Sequence, residues 1–474
     1  MASFPTDLFF APAVDLNARL RAGEFSVKEL VTAFSARLDA LGPRYNCLAL
    51  PLTADAVRAT KDIDGDFKRQ RLRGPLQGIP YGAKDLLCTK GQPTSWGARP
   101  YVGQVFDYDA TVIRKLERTG AVLIGKLAMV ELAGGPTYRF AAASVTGPGL
   151  NPWDRSRWSG GSSSGSGSAV AAGLVPFALG SETSGSILTP CAFCGITGLR
   201  PTYGLVSRYG AMALSWTLDK IGPMARTADD CGHILQVISG GDANDPGSAG
   251  KSFYYTPQYA RAMKDIRAGF AAEDFSDWAE PAARPAFAQA FEVVKSLEVQ
   301  VKEAALPVFP VRGVITTILH AEAATIFEEL ITSGKVDQLA DQKQIAGLKA
   351  GLEVSAKDYL KAMQIRSLIR AEFRKLFSEV DVLVAPARYG IAPKIAEPLD
   401  APPARRAPDK PGMSALIPLA NLAGLPALCL PCGFADGMPV ALQLVGPPFS
   451  ENLLLAMGRE FQRKTDWHTR RPPV

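Results

Sequence analysis

Residues 158–200 alternate between clusters of serine and glycine and a short apolar run, and this alternation limits what the chain can fold into. A stretch made only of serine and glycine is typical of a flexible linker. Here the small apolar residues 169–173 and the apolar residues 174–179 interrupt it, and the second run is long enough for a buried strand. The sequence therefore predicts that the glycines allow close approach of the backbone and that the serines lie at a site of chemistry.

The composition indicates a large folded protein and argues against a nucleic-acid-binding or membrane chain. The 474 residues are 47% hydrophobic, and 52 basic against 46 acidic residues leave a formal charge of only +6. No block of lysine and arginine resembles a nucleic-acid-binding arm, and no uncharged apolar stretch approaches the ~20 residues that cross a bilayer. The N-terminus lacks a basic region followed by an apolar core, so we expect no secretory signal and a cytoplasmic location.

The cysteines favour the same compartment. There are seven of them, an odd number scattered through a long chain, which is typical of buried thiols in a reducing environment. Cys191 and Cys194 have the spacing of a metal-binding pair, but no second pair and no nearby histidine accompany them. We therefore expect no metal site.

Three short motifs suggest other chemistries but lack the context that those chemistries need. Residues 161–165 match the G-x-S-x-G pattern of α/β-hydrolases, yet no hydrophobic strand precedes them. Residues 250–252 end like a phosphate-binding loop, but Asp245 stands where that loop requires a glycine. Gly165 and Gly167 could open a dinucleotide fingerprint whose third glycine is missing. We therefore expect no nucleotide and no other cofactor.

The order of predicted elements favours an α/β fold in which helices cover a sheet. The pattern Ser26–Glu29 is a capping box that begins a helix ending at Gly42. Further predicted helices cover residues 53–64 with Gly65 just past the end, 110–119 capped by Asp109, 231–238, 282–300, 315–335, 356–377 and 451–463. Predicted strands cover residues 121–126, 174–179, 380–386, 427–431 and 440–445. A loop with six prolines over residues 387–411 is long enough to be functional or mobile.

We expect these elements to form a single domain over residues 1–474. Its core would span residues 75–232, followed by a helical, substrate-lining region at 240–380 and by C-terminal strands and a helix at 381–474.

Histidine is too scarce to identify a catalytic base. Only His233, His320 and His468 occur, and none has a recognisable catalytic context. A serine nucleophile can use another base, and lysine serves when burial removes its charge. Lys84 follows an apolar segment and could be such a lysine, although composition alone favours an ordinary ion pair between Lys84 and a carboxylate.

Several separated motifs, in the same order along nearly the whole chain, resemble those of the amidase signature hydrolases. They are residues 78–85, 120–126, 151–154, 160–163, 180–187, 195–203, 418–426 and 430–433. The resemblance implies the amidase signature fold, a central twisted mixed β-sheet covered on both faces by α-helices. It also implies a serine hydrolase that cleaves amide C–N bonds through an acyl-enzyme.

The resemblance also implies the roles of individual residues. Carried over to this chain, Ser186 is the nucleophile, Ser162 is the bridging serine after a cis peptide bond from Gly161, and Lys84 is the base. The backbone N–H groups that would form the oxyanion hole are those of Thr183, Ser184, Gly185 and Ser186, and the expected hydrogen-bonding neighbours are Ser163 and Ser181.

The chain departs from the usual family pattern at three positions around the nucleophile. Glu182 replaces an aspartate, Ser184 replaces a glycine and Leu188 replaces an arginine. None of these changes removes a member of the triad. We therefore expect activity with altered local support of Ser186.

The segment 200–210 most resembles the glutaminase subunit of tRNA-dependent amidotransferases. That subunit binds the charged groups of glutamine with an arginine and an aspartate. In this chain no arginine occurs between Lys335 and Gln364, and Met413 stands where we would place the aspartate. We therefore expect an uncharged substrate, namely an aryl or alkyl amide, an anilide or a carbamate (urethane), with ester cleavage as a further activity.

Two alternatives stay open: the glutaminase subunit itself and a non-catalytic binding protein of the same fold. The expected partner is a small-molecule substrate, with no direct nucleic acid and no membrane, and an oligomer is compatible with the sequence. The pocket walls are expected at residues 129–138, 310–335 and 387–415.

Overall fold

A mixed β-sheet organises the computed structural model of the chain, which describes residues 4–135, 138–400 and 411–474. Its strands are β1 (Leu48–Pro51), β2 (Pro80–Lys84), β3 (Val122–Leu127), β4 (Phe177–Glu182), β5 (Thr197–Arg200), β6 (Lys220–Ala225), β7 (Arg267–Phe270), β8 (Gln300–Glu303), β9 (Val382–Pro386), β10 (Ala427–Ala435) and β11 (Met438–Val445). Within the described residues these eleven strands lie side by side in the order β1-β3-β2-β4-β6-β5-β10-β11-β9-β7-β8.

Helices flank this sheet, in agreement with the α/β fold predicted from the sequence. They are α1 (Ala13–Ala22), α2 (Val27–Leu41), α3 (Thr53–Lys68), α4 (Thr111–Arg118), α5 (Ser164–Ala171), α6 (Leu188–Cys194), α7 (Ala228–Ile238), α8 (Arg284–Ser296), α9 (Val311–Ile326), α10 (Glu328–Thr332), α11 (Gln342–Gly351), α12 (Ala356–Glu379), α13 (Leu416–Ala423) and α14 (Glu451–Arg463). In the described part of the chain, no helix is both long and apolar enough to cross a membrane.

The strands next to the serine-rich stretch are parallel and fully enclosed. β2 pairs in parallel with β3 on one side and with β4 on the other, and all five of its residues are buried. Parallel strands need cover on both faces, which explains why the segment leading to Lys84 is almost continuously apolar. Lys84 is the last residue of this enclosed strand.

Most predicted elements are present, and most errors lie at their ends. The helix predicted over 315–335 is instead two helices, α9 and α10, separated at Phe327. Helix α14 has the predicted bounds, and the capping box of Ser26 and Glu29 forms as expected. The prediction that Gly65 follows a helix is wrong, because α3 continues through it to Lys68. Asp109 does not cap α4, because its carboxylate accepts a hydrogen bond from the N–H of Lys90 instead.

Candidate functional site

Lys84 lies at the centre of the site with its side chain completely buried. Its Nζ is 2.7 Å from Ser162 Oγ, 3.0 Å from Ser163 Oγ and 2.9 Å from Ser181 Oγ. Among the described residues, no carboxylate lies within ion-pair distance of Lys84, so the ion-pair interpretation of the sequence does not describe this structure. Burial disfavours the ammonium form and lowers the pKa of Lys84 to about 7.

The segment before helix α5 brings two serines to this lysine. The Gly161–Ser162 peptide bond is cis, as the resemblance implied. The N–H of Ser163 donates to the carbonyl of Ser186 at 3.4 Å, so the two serine-bearing segments are in contact. The hydroxyl of Ser163 donates to the carbonyl of Ser181 at 3.2 Å, which fixes its orientation toward Lys84.

Residues 183–186 form a turn between β4 and α6 whose backbone donors are free. Gly185 has a φ of +92°, a value that favours glycine. The N–H groups of Thr183, Ser184, Gly185 and Ser186 donate to no acceptor within the described residues. Ser186 is partly exposed, and its hydroxyl makes no hydrogen bond to Ser162 in this structure. The turn therefore presents an accessible hydroxyl beside unused N–H donors.

Hydrogen bonds to the carboxylate of Glu182 fix the end of the turn, where α6 begins. One of its carboxylate oxygens accepts hydrogen bonds from the N–H groups of Ile187 and Leu188, at 2.9 and 3.0 Å. The other accepts from Arg200 at 2.7 Å and from Asn421 at 2.9 Å. The carboxylate thus ties the start of α6 to two distant elements, β5 and α13.

The same contacts set the charge of Glu182. Its burial alone would raise the pKa of the carboxyl group, but the positive charges of Arg200 and Lys220 outweigh burial and lower the pKa to about 2. Glu182 is therefore ionised although it is completely buried.

The departures from the family pattern have simple structural settings. Leu188 is buried at the start of α6, where its N–H is used by Glu182. Ser184 is partly exposed on the turn. Arg200 and Asn421, which position Glu182, were missed by the sequence analysis. The clue was Glu182 itself, because an acid in an apolar environment requires buried partners.

A cavity of about 440 Å³ adjoins Ser181 and Thr183. Its walls include Leu86, Met212, Leu214, Trp216 and Lys220, and the ion pair between Arg208 and Asp245, 2.6 Å long, lies at its side. This volume is in the range of small-molecule sites.

Two further polar side chains lie beside the serine-bearing segments and were also missed. The guanidinium of Arg388 hydrogen-bonds Thr189 Oγ1 near Gly185, and the hydroxyl of Tyr138 lies near Gly161. Both fall within the predicted wall segments 129–138 and 387–415, of which residues 136–137 and 401–410 lie outside the described residues. The lining of the 440 Å³ cavity itself differs from that prediction, because among the described residues only Ala133 belongs to a predicted wall segment and none comes from 310–335 or 387–415.

The residues that argued against a charged substrate also have defined positions. The backbone N–H of Met413 donates to the carboxylate of Asp274, and the Met413 side chain is buried. Arg366 lies just beyond the arginine-free interval that ends at Gln364. It is buried and donates to the carbonyl oxygens of Leu422 and Thr217, at 2.7 and 2.6 Å.

Metal ligands are not grouped at this site. Across the described ranges of the chain, no three His, Cys, Asp or Glu side chains are arranged to hold a metal ion.

Comparison with known proteins gives a consistent result over the whole chain. The family model described as Amidase matches residues 29–455. A glutamyl-tRNA(Gln) amidotransferase subunit of Chloroflexus aggregans is 40% identical, over 99% of this chain and 99% of its own length. Among solved structures, the peptide amidase of Stenotrophomonas maltophilia superposes with a TM-score of 0.83 at 30% identity, covering 98% of both chains. A chain from a vestigial protein complex related to the origins of an s-triazine catabolic enzyme superposes with a TM-score of 0.86 at 29% identity, covering 96% of this chain and 98% of its own.

Proposed function

We propose that the chain, which belongs to the amidase family, hydrolyses the C–N bond of amides through an acyl-enzyme on Ser186, with Ser162 as the bridging serine and Lys84 as the base. The observation that supports this most strongly is the environment of Lys84. Its pKa is lowered to about 7, and hydroxyl groups, with no carboxylate in the described residues, surround its nitrogen.

The hydrogen-bonding capacity of a neutral lysine fits these three hydroxyls. A neutral amine has two hydrogens and one lone pair. Ser163 already donates its hydrogen to the carbonyl of Ser181, so it can only accept from Lys84. If Lys84 donates to Ser163 and Ser181, its lone pair is left for the hydroxyl hydrogen of Ser162. This arrangement directs proton transfer from Ser162 to Lys84.

The proposed reaction begins with this proton transfer from Ser162 to Lys84. Lys84 takes the proton of Ser162 while Ser162 takes the proton of Ser186, and Ser186 Oγ attacks the carbonyl carbon. The unused N–H groups of residues 183–186 stabilise the negative charge on the substrate oxygen. The relay then returns a proton to the leaving nitrogen, the C–N bond breaks, and an amine or ammonia departs. Water attacks the acyl-enzyme by the same relay and releases the acid.

For the substrate, the comparisons support the glutaminase alternative better than the uncharged amide or carbamate expected from the sequence. The relative from Chloroflexus aggregans is, by its name, one component of an amidotransferase, and the similarity covers its full length. On this proposal the chain releases ammonia from glutamine inside a larger assembly. The stand-alone hydrolase of anilides, carbamates or esters is the second candidate, and the likeness to a peptide amidase favours it.

One assay separates these candidates. The purified chain is supplied with glutamine, with and without the partner subunits of the amidotransferase, and in parallel with anilides, aliphatic amides, esters and carbamates, and the released amine, ammonia or alcohol is measured. Strong glutamine turnover that needs the partners supports the glutaminase role, whereas turnover of neutral amides by the chain alone supports the stand-alone enzyme.

The role of Ser186 is tested by Ser186→Ala, for which we expect no turnover of any amide and an unchanged fold. Ser367→Ala, which removes a hydroxyl on the exposed side of α12, is the matched control and should retain full activity. Hydrolysis by the Ser186 variant at the wild-type rate would exclude Ser186 as the nucleophile.

A further inference from the structure

Arg388 presents a fixed guanidinium next to the turn that carries Ser186. It follows the end of β9 by two residues, and its Nε and Nη2 both donate to Thr189 Oγ1 in helix α6, the former at 3.1 Å. Nη2 also lies 3.6 Å from the position that a Cβ would occupy on Gly185. The side chain is nevertheless exposed to solvent. Arg388 is therefore held in place by α6 while its side chain remains accessible to solvent.

The positive charge of Arg388 has no acidic partner in residues 4–135, 138–400 and 411–474. Two other arginines of this region do have acidic partners: Arg200 forms an ion pair with Glu182 at 2.7 Å, and Arg208 forms an ion pair with Asp245 at 2.6 Å. Glu182 cannot serve Arg388 as well, because four other donors already occupy its two oxygens.

A second free donor lies beside the other catalytic segment. The hydroxyl oxygen of Tyr138 is 3.1 Å from the position that a Cβ would occupy on Gly161, directly before Ser162. Within the described residues this hydroxyl has no hydrogen-bond partner. Arg388 and Tyr138 thus offer donors next to the glycines that precede Ser186 and Ser162, respectively.

We propose that Arg388, assisted by Tyr138, binds a carboxylate of the substrate, so that the preferred substrates are amides that carry a carboxylate close to the scissile bond. This inference rests on the amide hydrolysis proposed above and reverses the expectation of an uncharged substrate. A guanidinium presents parallel N–H groups that match the two oxygens of a carboxylate, and a charge-assisted bond of this kind is stronger than a neutral one. Anchoring by Thr189 reduces the side-chain ordering that binding would otherwise require.

The alternative is a purely structural role, in which Arg388 only links α6 to the end of β9 through its hydrogen bonds to Thr189. A purely structural role would lower the activity on every substrate by the same factor. A role in binding lowers the activity selectively on carboxylated substrates, and chiefly through KM when the carboxylate is held equally in the ground state and the transition state.

The test uses two pairs of substrates that differ only in the charge of one end. In the first pair, succinamate is compared with 4-methylpentanamide, whose branched end has the shape of a carboxylate, and ammonia release is measured. Because the leaving group of a primary amide is ammonia, this carboxylate can lie only on the acyl side. In the second pair, 4-acetamidobenzoate is compared with 4-isopropylacetanilide, which places the charge on the amine side.

We expect the wild-type enzyme to prefer the charged member of at least one pair by tenfold or more in kcat/KM, an order of magnitude typical of a charge-assisted hydrogen bond. Arg388→Gln should remove that preference and leave the neutral substrates within about threefold of wild type. Tyr138→Phe should reduce it partly, and Arg388→Lys, which keeps the charge without the paired N–H groups, should retain an intermediate preference. Arg374→Gln removes an exposed arginine from α12 and should change nothing.

The comparison within the wild-type enzyme does not depend on the folding of any variant. Equal or lower activity on the charged member of both pairs, or a preference that Arg388→Gln preserves, would overturn the inference while leaving amide hydrolysis established. If no amide of either pair and no glutamine is hydrolysed, with or without partner subunits, the proposed function itself fails.

Discussion

At the residue scale, the proposed chemistry depends on a single buried amine. Lys84 is surrounded by hydroxyl groups, which are weaker partners for an ammonium than a carboxylate would be, and burial is therefore free to lower its pKa to about 7. Lys126 shows the contrast. It is equally buried, and burial lowers its pKa as well, but it lies 3.1 Å from the carboxylate of Asp85, which opposes that shift by favouring the charged form.

The first prediction concerns the pH dependence that follows from Lys84. Only the neutral amine accepts a proton, so kcat/KM for a substrate without titrating groups should rise about tenfold per pH unit below 7 and level off above it. Measurement between pH 5.5 and 9 with 4-methylpentanamide or 4-isopropylacetanilide tests this, with circular dichroism as the control for folding. Lys84→Ala should lower the plateau by several orders of magnitude. A flat profile across pH 7 would contradict the assignment of Lys84 as the base.

The second prediction concerns Glu182, whose charge is buried with that of Arg200. Glu182→Gln keeps the shape of the side chain but leaves Arg200 buried without a counter-charge, which should lower the free energy of unfolding by about 3–5 kcal/mol. Urea denaturation monitored by tryptophan fluorescence measures this loss. Glu379→Gln, which breaks an exposed pair with Lys302, should leave the midpoint nearly unchanged.

The pH dependence of the same variant provides a check. Because the folded-state pKa of Glu182 is about 2, below its ordinary value of 4.5, its carboxylate stabilises the fold above pH 4.5 and this contribution is lost as the pH falls towards 2. The difference between wild type and Glu182→Gln should therefore be constant near neutral pH and shrink in acid. A wild-type midpoint for the variant at pH 7 would show that the ion pair contributes nothing.

At the scale of elements, close packing explains why the serine-rich stretch is also rich in glycine. Helix α5 lies so near the end of β3 that a Cβ on Gly165 would be 2.5 Å from the backbone N of Ala128 and from the carbonyl oxygen of Cys47. The N–H of Gly165 donates to the carbonyl of Ala128 at 2.9 Å. The G-x-S-x-G pattern at this point therefore follows from packing, in agreement with the sequence analysis, which rejected it as a nucleophile elbow.

The third prediction uses this contact. Gly165→Ala forces a methyl group against backbone atoms that cannot move independently, so it should destabilise the protein by about 1–3 kcal/mol and lower the activity by displacing Ser162. Gly313→Ala is the matched control, because Gly313 is exposed in helix α9 with open space around its Cβ position. That change should raise stability by about 0.5–1 kcal/mol. The thermal unfolding midpoints and kcat/KM of both variants test this prediction. Equal unfolding midpoints for Gly165→Ala and Gly313→Ala would refute the packing argument.

Elements with strong local signals were predictable, and contacts between distant segments were not. Helix α14 and the capping box of Ser26 follow from periodicity and short-range hydrogen bonding. The extension of α3 through Gly65 shows tertiary packing overriding a local stop signal. The grouping of Lys84, Ser162 and Ser186 came only from the family resemblance, because residues 78 and 24 positions apart have no local pattern that joins them. Arg388 and Tyr138 had no signal at all beyond lying in the expected wall segments.

At the scale of the whole molecule, the order of the strands in the sheet differs from their order along the chain. Strands β9, β10 and β11, from residues 382–445, lie between β5 on one side and β7 on the other. The C-terminal segment therefore forms the middle of the sheet and joins the serine-bearing half to β7 and β8. Asn421, which binds Glu182, belongs to the same segment, so the support of the turn that carries Ser186 depends on this strand order.

The fourth prediction follows from the position of the C-terminal strands between β5 and β7. The full chain should unfold in one cooperative transition, seen as coincident curves by circular dichroism and tryptophan fluorescence in urea. A chain ending at residue 380 should show no cooperative transition, because it loses three buried strands and leaves β7 and β8 as an isolated pair, which is too small to be stable. Two resolved transitions in the full chain, or cooperative melting of residues 1–380, would mean that the two parts of the sheet fold independently. In that case the hydrogen bond from Asn421 to Glu182 would join separate folding units, and Glu182→Gln should affect only one of the two transitions.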